Sequence, residues 1–406
     1  MTKKVSSFFW VSVVLGLFVL GFLFTVQTSI AGAPSEIKLG ASIPKTGPLT
    51  AFGLYLEWGL NAAVKDVNDK GGINLSKYGK KVPVKLILYD DQSRPEKTVE
   101  NVERLVLKDG VHGLLPSASP PLVLPGASIA EREGIPMVAA LCPIRAFLGA
   151  RDEWHWAWDI FFDEDEMTKQ QFLTANMVES NKKVVLFTDN EEDGVVMGKA
   201  WNKYAKDFGY EIVYHATFPV GTTDYGDPIR KAKEGNAEIV ICQMIPPDAI
   251  ALWRQIKSLG YKPKAAFIEK GAEPYEFWKA LGEAAQGVCV VGYWHPAMGY
   301  PGGSEIRERF EKETGATYSQ HIADSYTVAQ VMMDAIEAAG TVEPKAIAEA
   351  IAKTDKTYVV GPIKFNIGKG NHACALPLSM LQWQNGELEV VYPEKLATKK
   401  FIYPLP

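Results

Sequence analysis

The stretch IKLGASIPKTGPLTAFGLYLEWGLNAAVKDVNDKGGI, residues 37–73, and the segment VPVKLILYDD, residues 82–91, together decide the fold. In order they read as a short apolar strand, a Gly/Pro loop over 44–48, an amphipathic helix, a Gly-Gly stop and an alternating second strand. Open α/β sheets bind ligands beyond the carboxyl ends of their strands. The loop at 44–48 follows a strand, so we expect a ligand site beside it.

Strand and helix patterns alternate along the rest of the chain. Apolar strand patterns occur near 82–88, 111–115 and 136–140, and a second series covers 183–188, 211–218, 237–244 and 264–269. Helical patterns separate them, which favours parallel sheets with helices on both faces. The 406 residues are enough for two full cores. The sequence therefore predicts an α/β fold with two doubly wound parallel-sheet lobes.

Three short motifs carry a resemblance to a known family. They are the loop from Gly40 to Pro48, the helix end DVNDKGGI at 66–73, and Tyr89-Asp90-Asp91. With these motifs the chain resembles the type I periplasmic binding proteins of the branched-chain amino acid (Leu/Ile/Val-binding) ABC transporter family. The resemblance continues to near the C-terminus.

The resemblance implies two lobes joined by three hinge crossovers. We place the crossovers near Phe162, Trp294 and Val359. Lobe 1 would then comprise 34–162 plus 295–358, and lobe 2 would comprise 163–294 plus 359–406. A cleft between the lobes would close on its ligand by hinge motion.

The N-terminus has the pattern of a secretory signal. Two lysines precede an apolar run over 8–24, and the A-G-A sequence at 31–33 offers a cleavage site. A signal peptide over 1–33 predicts a periplasmic protein, with an uncleaved N-terminal anchor as the alternative. The first Cys after the apolar run is Cys142, so an N-terminal lipid anchor is excluded.

Composition and motifs exclude several other functions. The formal net charge is −5 and no Lys/Arg run occurs, so nucleic-acid binding is not expected. Of the four Cys, Cys242 and Cys289 lie in apolar strand-like runs and are interpreted as buried hydrophobes. We find no nucleophile elbow, P-loop or zinc-site motif. The sequence predicts no enzyme activity, no metal and no cofactor, and the acidic run at 163–166 is interpreted as a helix start.

Two loops of lobe 1 are expected to reach the ligand. The resemblance places a Ser-rich turn at Ser117 and Ser119, whose hydroxyls would hold a ligand carboxylate. Ser119 also suits a plain helix N-cap, because prolines at 120 and 121 follow it. In the next loop, Leu141 and Cys142 would form an apolar wall. The family offers a hydroxyl near Pro143, and all three prolines lack the N–H groups that an amino acid carboxylate would use.

Three loops of lobe 2 are also expected at the ligand. Asp193 would accept a hydrogen bond from a polar or cationic ligand group, or it would cap the following helix. Ile245 lies in an apolar, adaptable loop. By the resemblance, Glu269 would pair with a ligand ammonium, and the adjacent Lys270 would instead hold a carboxylate.

Aromatic residues complete the expected site. Phe52 occupies the place of a family aromatic that covers the ligand. Trp156 belongs to an alternating Trp triplet at 154, 156 and 158, whose common face would line the cleft or pack the lobes together. Such a cleft suits an aromatic or aliphatic carboxylate, or an amide, better than an amino acid.

These features predict the extracytoplasmic substrate-binding component of an ABC importer. Its partners would be a small-molecule ligand and the membrane permease subunits, and a monomer is expected. The alternative is a periplasmic ligand-sensing protein that serves a signalling partner. The chain ends at Pro406 with no apolar membrane segment near that end, which favours the importer.

Overall fold

Two mostly parallel β-sheets, each covered by helices, make up residues 32–406, the part of the chain that this computed structural model describes. The predicted signal peptide lies outside the described residues except for its last two positions. The strands are β1 Ile37–Ile43, β2 Ile73–Leu75, β3 Lys80–Val82, β4 Val84–Asp90, β5 Gly113–Leu114, β6 Met137–Ala139, β7 Ala157–Phe161, β8 Lys183–Asp189, β9 Glu211–Phe218, β10 Ile239–Met244, β11 Ala265–Lys270, β12 Cys289–Gly292, β13 Asp355–Tyr358, β14 Gly361–Lys364, β15 Ala373–Ala375, β16 Ser379–Gln384 and β17 Glu387–Tyr392. The helices are α1 Thr50–Asp69, α2 Pro95–Arg104, α3 Pro120–Glu133, α4 Ile144–Gly149, α5 Glu164–Ala175, α6 Glu192–Tyr204, α7 Gly226–Glu234, α8 Pro246–Ser258, α9 Glu276–Leu281, α10 Gly303–Thr314, α11 His321–Ala339 and α12 Pro344–Ile351.

The two sheets repeat one topology. The first has the order β15-β7-β6-β5-β1-β4, with every pair parallel. The second has the order β17-β16-β12-β11-β10-β8-β9, parallel from β9 to β12 and antiparallel at β16 and β17. In each sheet the first strand in the chain lies between the second and the third. This order creates a topological switch point, where a ligand crevice forms at the strand ends.

The opening stretch folds as predicted because its periodicity matches its elements. In β1, Ile37, Leu39, Ala41 and Ile43 are fully buried in the first lobe, which we define as the first sheet with its helices. Gly72 ends the turn after α1 with φ +89°, and a Cβ there would lie 2.3 Å from the Val82 carbonyl oxygen. A residue with a side chain would clash at this point, so the Gly-Gly stop is a steric requirement.

Helix α11 packs against α1 in the first lobe. The two helices approach closely at Gly59, where a Cβ would lie 2.1 Å from Ser325 Oγ. The Ser325 hydroxyl donates to the Tyr55 carbonyl oxygen at 3.1 Å. This contact brings the start of α11, and with it His321, next to the first turn of α1.

Most element predictions are confirmed, and one crossover needs correction. Strand β15 pairs with β7 in the first sheet, whereas the predicted division assigned residues 359–406 to lobe 2. By sheet membership the chain passes to the second sheet between Ala375 and Ser379, later than the predicted crossing near Val359. The physical reason is that three residues at 373–375 complete the free edge of β7. The remaining lobe bounds stay a prediction.

Two smaller interpretations are confirmed. The four Cys residues are free thiols, and all are buried. The acidic run begins α5, where the Asp163 carboxylate accepts hydrogen bonds from the Asp165 and Glu166 backbone N–H groups at 2.9 and 3.2 Å. Among residues 32–406, no helix combines the length and apolarity needed to span a bilayer.

Candidate ligand cleft

A small cavity lies where the strand ends of the two sheets face each other. Its volume is about 30 Å³, close to the share of one water molecule in the liquid. Contacts between the lobes, from Lys270 Nζ to Ser119 Oγ and from His321 Nε2 to Glu273 Oε2, hold them together beside it. The residues that line it are Phe52, Ala118, Ser119, Leu141, Pro143, Phe161, Phe162, Asp193, Gln243, Lys270, Glu273 and His321.

One polar group at the cavity, which we call the Lys270 cluster, consists of Lys270, Glu191, Asp193 and Ser119. The Lys270 ammonium lies 2.5 Å from Glu191 Oε2 and 3.0 Å from Asp193 Oδ2. It also donates to Ser119 Oγ at 2.9 Å, a hydrogen bond that joins the two lobes. Burial by itself lowers the pKa of Lys270, but Asp193 and Glu191 outweigh it and raise the pKa above its usual value. The lysine is therefore fully charged.

Three non-glycine residues of the cleft have left-handed backbone conformations. The φ angles are +72° at Ser119, +57° at Leu141 and +61° at Lys270. The Ser119 N–H donates to the Leu141 carbonyl oxygen at 3.0 Å, which ties two of them together. Such conformations cost free energy and cluster at ligand sites, where the surrounding structure holds them. Their convergence supports this cavity as the functional site.

A second polar group, which we call the His321 cluster, consists of His321, Glu273, Asp324 and Tyr293. The imidazole Nε2 lies 3.0 Å from Glu273 Oε2, and Nδ1 lies 3.2 Å from Asp324 Oδ2. The Tyr293 hydroxyl donates to Asp324 Oδ2 at 2.6 Å. Burial by itself lowers the pKa of His321, but hydrogen bonds to Asp324 and Glu273 raise it to about 9. His321 is therefore protonated near neutral pH, and its pair with Glu273 joins the lobes.

The rest of the cavity lining is mostly apolar, and part of it contacts the His321 cluster. The Phe52 ring packs edge-on against His321, with the ring centroids 4.9 Å apart. Phe161 and Phe162 are in contact at 4.4 Å between centroids, and Phe161 also contacts Tyr293 at 5.0 Å. Leu141 and Pro143 complete this side. The cavity thus has an aromatic wall and a charged polar end, a division that suits an amphipathic small molecule.

The structure brings together half of the site residues predicted from the sequence. These are Phe52, Ser119, Leu141, Asp193 and Lys270, all of which line the cavity. Ser119 occupies the N-cap position of α3, yet its hydroxyl makes no capping hydrogen bond and contacts Lys270 instead. Asp193 likewise uses its carboxylate on Lys270, Gln243 and the neighbouring Gly194 N–H.

Two of the three predicted partners of an amino acid, Ser117 and Glu269, lie outside the cavity lining. Ser117 donates its hydroxyl to Asp91 Oδ2 at 2.7 Å, beneath the loop that follows β5. Glu269 accepts from Gln171 Nε2 at 2.6 Å and from the Val291 N–H at 2.9 Å. Neighbouring strand residues point to opposite faces, so Glu269 points away where Lys270 points in. Burial raises the pKa of Glu269 to about 8. It is largely neutral at pH 7 and is placed wrongly to pair with a ligand ammonium.

The other three predicted residues also pack elsewhere. Cys142 is fully buried in a core cluster of the first lobe and is not among the residues that line the cavity. Ile245 precedes α8 and is buried in the main core cluster. Trp156 is half-buried and covers the end of α3, where a Cβ on Gly134 would lie 3.5 Å from Trp156 Cζ2. Trp156 therefore packs within the first lobe, and neither the cleft-lining nor the lobe-packing interpretation of the Trp triplet describes its place.

Sequence reasoning missed the residues that complete the charged end. His321 begins α11 and does not follow a strand, so the rule on strand ends could not find it. Glu273 and Glu191 do lie just after β11 and β8, and that rule could have indicated both. Their role depends on ion pairs with residues far away in the sequence, which no local pattern reveals.

Three carboxylates near the cleft lie close enough to hold a metal ion. The oxygens of Asp189, Glu191 and Asp193 fall within 4.8 Å of one another. The Lys270 ammonium already contacts two of them and supplies the compensating positive charge. Burial raises the pKa of Asp189 to about 7 although Lys270 acts in the opposite direction. The arrangement is an ion-pair cluster with negative charge in excess.

Comparison with known proteins defines the class. A family model described as periplasmic binding protein matches residues 36–387. The chain is 24% identical over 395 residues to Leu/Ile/Val-binding protein homolog 7 of Brucella abortus, covering 93% of this chain and 97% of that protein. The chain belongs to the periplasmic binding protein family, and the resemblance to its branched-chain amino acid transporter type is confirmed.

Solved structures share the fold. The branched-chain amino acid transporter substrate-binding protein LivJ of Streptococcus pneumoniae, in complex with isoleucine, superposes with a TM-score of 0.77 at 21% identity, covering 88% of this chain and 100% of that one. A solute-binding protein of an ABC transporter from Rhodopseudomonas palustris, in complex with 3,4-dihydroxybenzoic acid, gives a TM-score of 0.75 at 17% identity and covers 87% and 95%. The two-lobed type I periplasmic binding protein fold predicted from the sequence is therefore confirmed.

Proposed function

We propose that this protein is the extracytoplasmic substrate-binding component of an ABC importer whose ligand is an aromatic or aliphatic carboxylate or amide, not an amino acid. The observation that carries the proposal is the lining of the cleft. Phe52, Phe161 and Phe162 face an end whose charged groups are already paired. An amino acid would have to replace ion pairs with both of its charged groups.

Missing backbone donors support the same ligand class. Pro120 and Pro121 occupy the first two positions of α3, and Pro143 lines the cavity directly. None of them has an N–H group for a carboxylate. Glu269, the expected acid for a ligand ammonium, points away from the cavity.

The relatives show that one fold serves both ligand classes. The Streptococcus pneumoniae protein was solved with isoleucine, and the Rhodopseudomonas palustris protein with 3,4-dihydroxybenzoic acid. The aromatic wall of the present cleft favours a ligand closer to the second kind. A planar ring can stack or meet ring edges there, which adds to the free energy of simple burial.

The remaining parts of the role follow from the family type. We infer that the protein acts in the periplasm, binds its ligand as a monomer between the lobes, and delivers it to permease subunits without chemical change. The signal pattern before Ala33 supports export. The inter-lobe contacts at Ser119 and His321 support a cleft that opens and closes.

A thermal-shift screen tests the proposed ligand class. The chain would be heated with leucine, isoleucine and valine, and separately with aromatic and aliphatic carboxylates and amides. We expect shifts only in the second group, because those compounds carry at most one charged group and disturb the ion pairs at the cleft less than an amino acid does. Shifts with leucine or valine alone would overturn the proposal.

A pair of variants on α1 provides the matched control. Phe52→Ala removes a wall residue of the cavity and should abolish the shift for every compound that binds. Leu54→Ala changes a residue of the same helix that is 41% exposed, and it should leave the shift unchanged. Equal effects of the two variants would show that the ligand binds elsewhere.

A further inference from the structure

Each of the two cations at the cleft, Lys270 and His321, is paired with two carboxylates. Lys270 contacts the carboxylates of Glu191 and Asp193 at 2.5 and 3.0 Å. His321 contacts those of Glu273 and Asp324 at 3.0 and 3.2 Å. Lys270, Asp193, Glu273 and His321 also line the cavity itself. Neither cation is therefore free to serve as the counterion of a ligand.

An anionic ligand would meet an unfavourable balance of charge here. A ligand carboxylate at Lys270 would stand as a third carboxylate beside Glu191 and Asp193, or it would have to separate the ammonium from Asp193, whose side chain is only 3% exposed. The first arrangement adds repulsion between like charges, and the second leaves a buried carboxylate without its cation, so both cost free energy. A cationic ligand would in turn find the carboxylates that line the cavity, Asp193 and Glu273, already paired with Lys270 and His321. A neutral head group avoids both costs.

An unpartnered acceptor shows what kind of neutral group fits. Gln243 lines the cavity and is 2% exposed. Its Nε2 donates to Asp193 Oδ2 at 2.9 Å, so the amide orientation is set by a group that can only accept. Its Oε1 has no hydrogen-bond partner within the described part of the chain. A buried carbonyl oxygen in this state requires a donor.

We propose that the polar end of the cleft recognises a neutral primary carboxamide, with the apolar body of the ligand against Phe52, Phe161 and Phe162. The carboxamide N–H₂ donates to Gln243 Oε1, which a carboxylate cannot do. The carboxamide oxygen accepts from Lys270 in place of Ser119 Oγ, so that Lys270 keeps both of its carboxylate partners. This inference rests on the proposed function. It selects the amide over the carboxylate, the two ligand classes that the proposed function leaves open.

Matched pairs of compounds test the choice by isothermal titration calorimetry. Benzamide would be compared with benzoate, and 4-methylpentanamide with 4-methylpentanoate, since each pair differs only in the head group. We expect the amide of the better-fitting pair to bind at least about tenfold more tightly than its carboxylate, because the acid must break an existing ion pair.

The possible outcomes separate the two proposals. A carboxylate that binds as tightly as its amide, or more tightly, would overturn the carboxamide inference while leaving the proposed ligand class intact. Leucine or valine binding, with no response to either pair, would overturn both. An amine such as benzylamine that binds more tightly than benzamide would also contradict a neutral head group.

A charge-removing variant gives a second test of the same idea. Glu191→Gln takes one of the two carboxylates away from Lys270 and should raise carboxylate affinity about tenfold while changing amide affinity little. The control is Glu192→Gln, which removes the same charge from an exposed neighbouring residue without an ion pair to Lys270 in the described structure. An unchanged preference in Glu191→Gln, or equal changes in both variants, would contradict the proposal.

Discussion

The Lys270 cluster and the His321 cluster have the same composition of one cation and two carboxylates, but they differ in burial and stiffness. In the His321 cluster every charged side chain is at most 6% exposed, and Tyr293 holds Asp324 in place. In the Lys270 cluster Glu191 is 18% exposed, and the cation stands on a long flexible side chain.

This difference assigns the two clusters different roles. A stiff, fully buried ion pair cannot exchange partners without losing most of its electrostatic compensation. The His321 cluster therefore positions Phe52 and holds the closed lobes together. The Lys270 cluster is partly open to solvent, so its lysine is the cation that can adjust to a ligand. Four measurements can test this distinction.

Asp324→Asn should give the largest loss of stability. It removes one acid from the buried His321 and weakens the acceptor of Tyr293, so we expect the free energy of unfolding to fall by roughly 3–5 kcal/mol. Urea denaturation would measure it. Asp334→Asn on the same helix is the control, because its pair with Lys356 is 41% exposed at the aspartate and should cost less than about 1 kcal/mol. Equal losses of stability in Asp324→Asn and Asp334→Asn would contradict the structural role of the buried His321 cluster.

The stability of the protein should depend on the protonation of His321. Its pKa is raised from 6.5 to about 9 in the folded state. The stabilisation is therefore complete below pH 6.5 and is lost as the pH rises through about 9, with a total near 3 kcal/mol. The measurement is the free energy of unfolding between pH 6 and 9.5 for the wild type and for His321→Gln.

The difference in stability between the wild type and His321→Gln isolates the contribution of the histidine. Glu269, whose pKa burial raises to about 8, ionises over the same range and also lowers stability as the pH rises. This contribution is present in both proteins and cancels in the difference. Parallel pH curves for the wild type and His321→Gln would contradict the role of His321.

Lys270→Met should cost less than the change at Asp324. Asp193 loses its cation, but Glu191 is partly exposed and water can reach the cavity end of the cluster. We expect a loss of about 1–2 kcal/mol in the free energy of unfolding. A loss as large as that of Asp324→Asn would mean that the two clusters are equally structural.

The smallest effect is expected at Ser119. Ser119→Ala removes the acceptor of the Lys270 hydrogen bond and should cost about 1 kcal/mol. Ser119→Gly removes the same hydroxyl but relieves the backbone at φ +72°, so it should be more stable than the Ala variant by about 1 kcal/mol. Differential scanning calorimetry of both variants would show it. A less stable Gly variant would mean that this backbone conformation is not strained.

Local patterns were sufficient wherever one element decided its own structure. The helix from Thr50 to Asp69 and the strand from Val84 to Asp90 follow from their periodicity. The Gly72 stop follows from a steric clash with Val82. Strand β15 was missed because three residues carry too little periodicity to show which sheet they join.

Site residues were predictable only in part for a similar reason. The loops that follow strands were found, so Ser119, Leu141, Asp193 and Lys270 were predicted. Which residue of each loop faces the cavity depends on the backbone, and this explains why Lys270 lines it and Glu269 does not. His321 was not predicted, because its place depends on the packing of α11 against α1.

Local sequence was enough to indicate the elements, their alternation and the family, because hydrophobic periodicity and turn residues act within a few positions along the chain. How the charged groups at the cleft are paired depends on the tertiary structure alone. Lys270 pairs with Glu191 across the switch point of one sheet, and His321 pairs with Glu273 across the two lobes. Coulomb interactions depend on distance in space and on burial, and neither quantity is written in the local sequence.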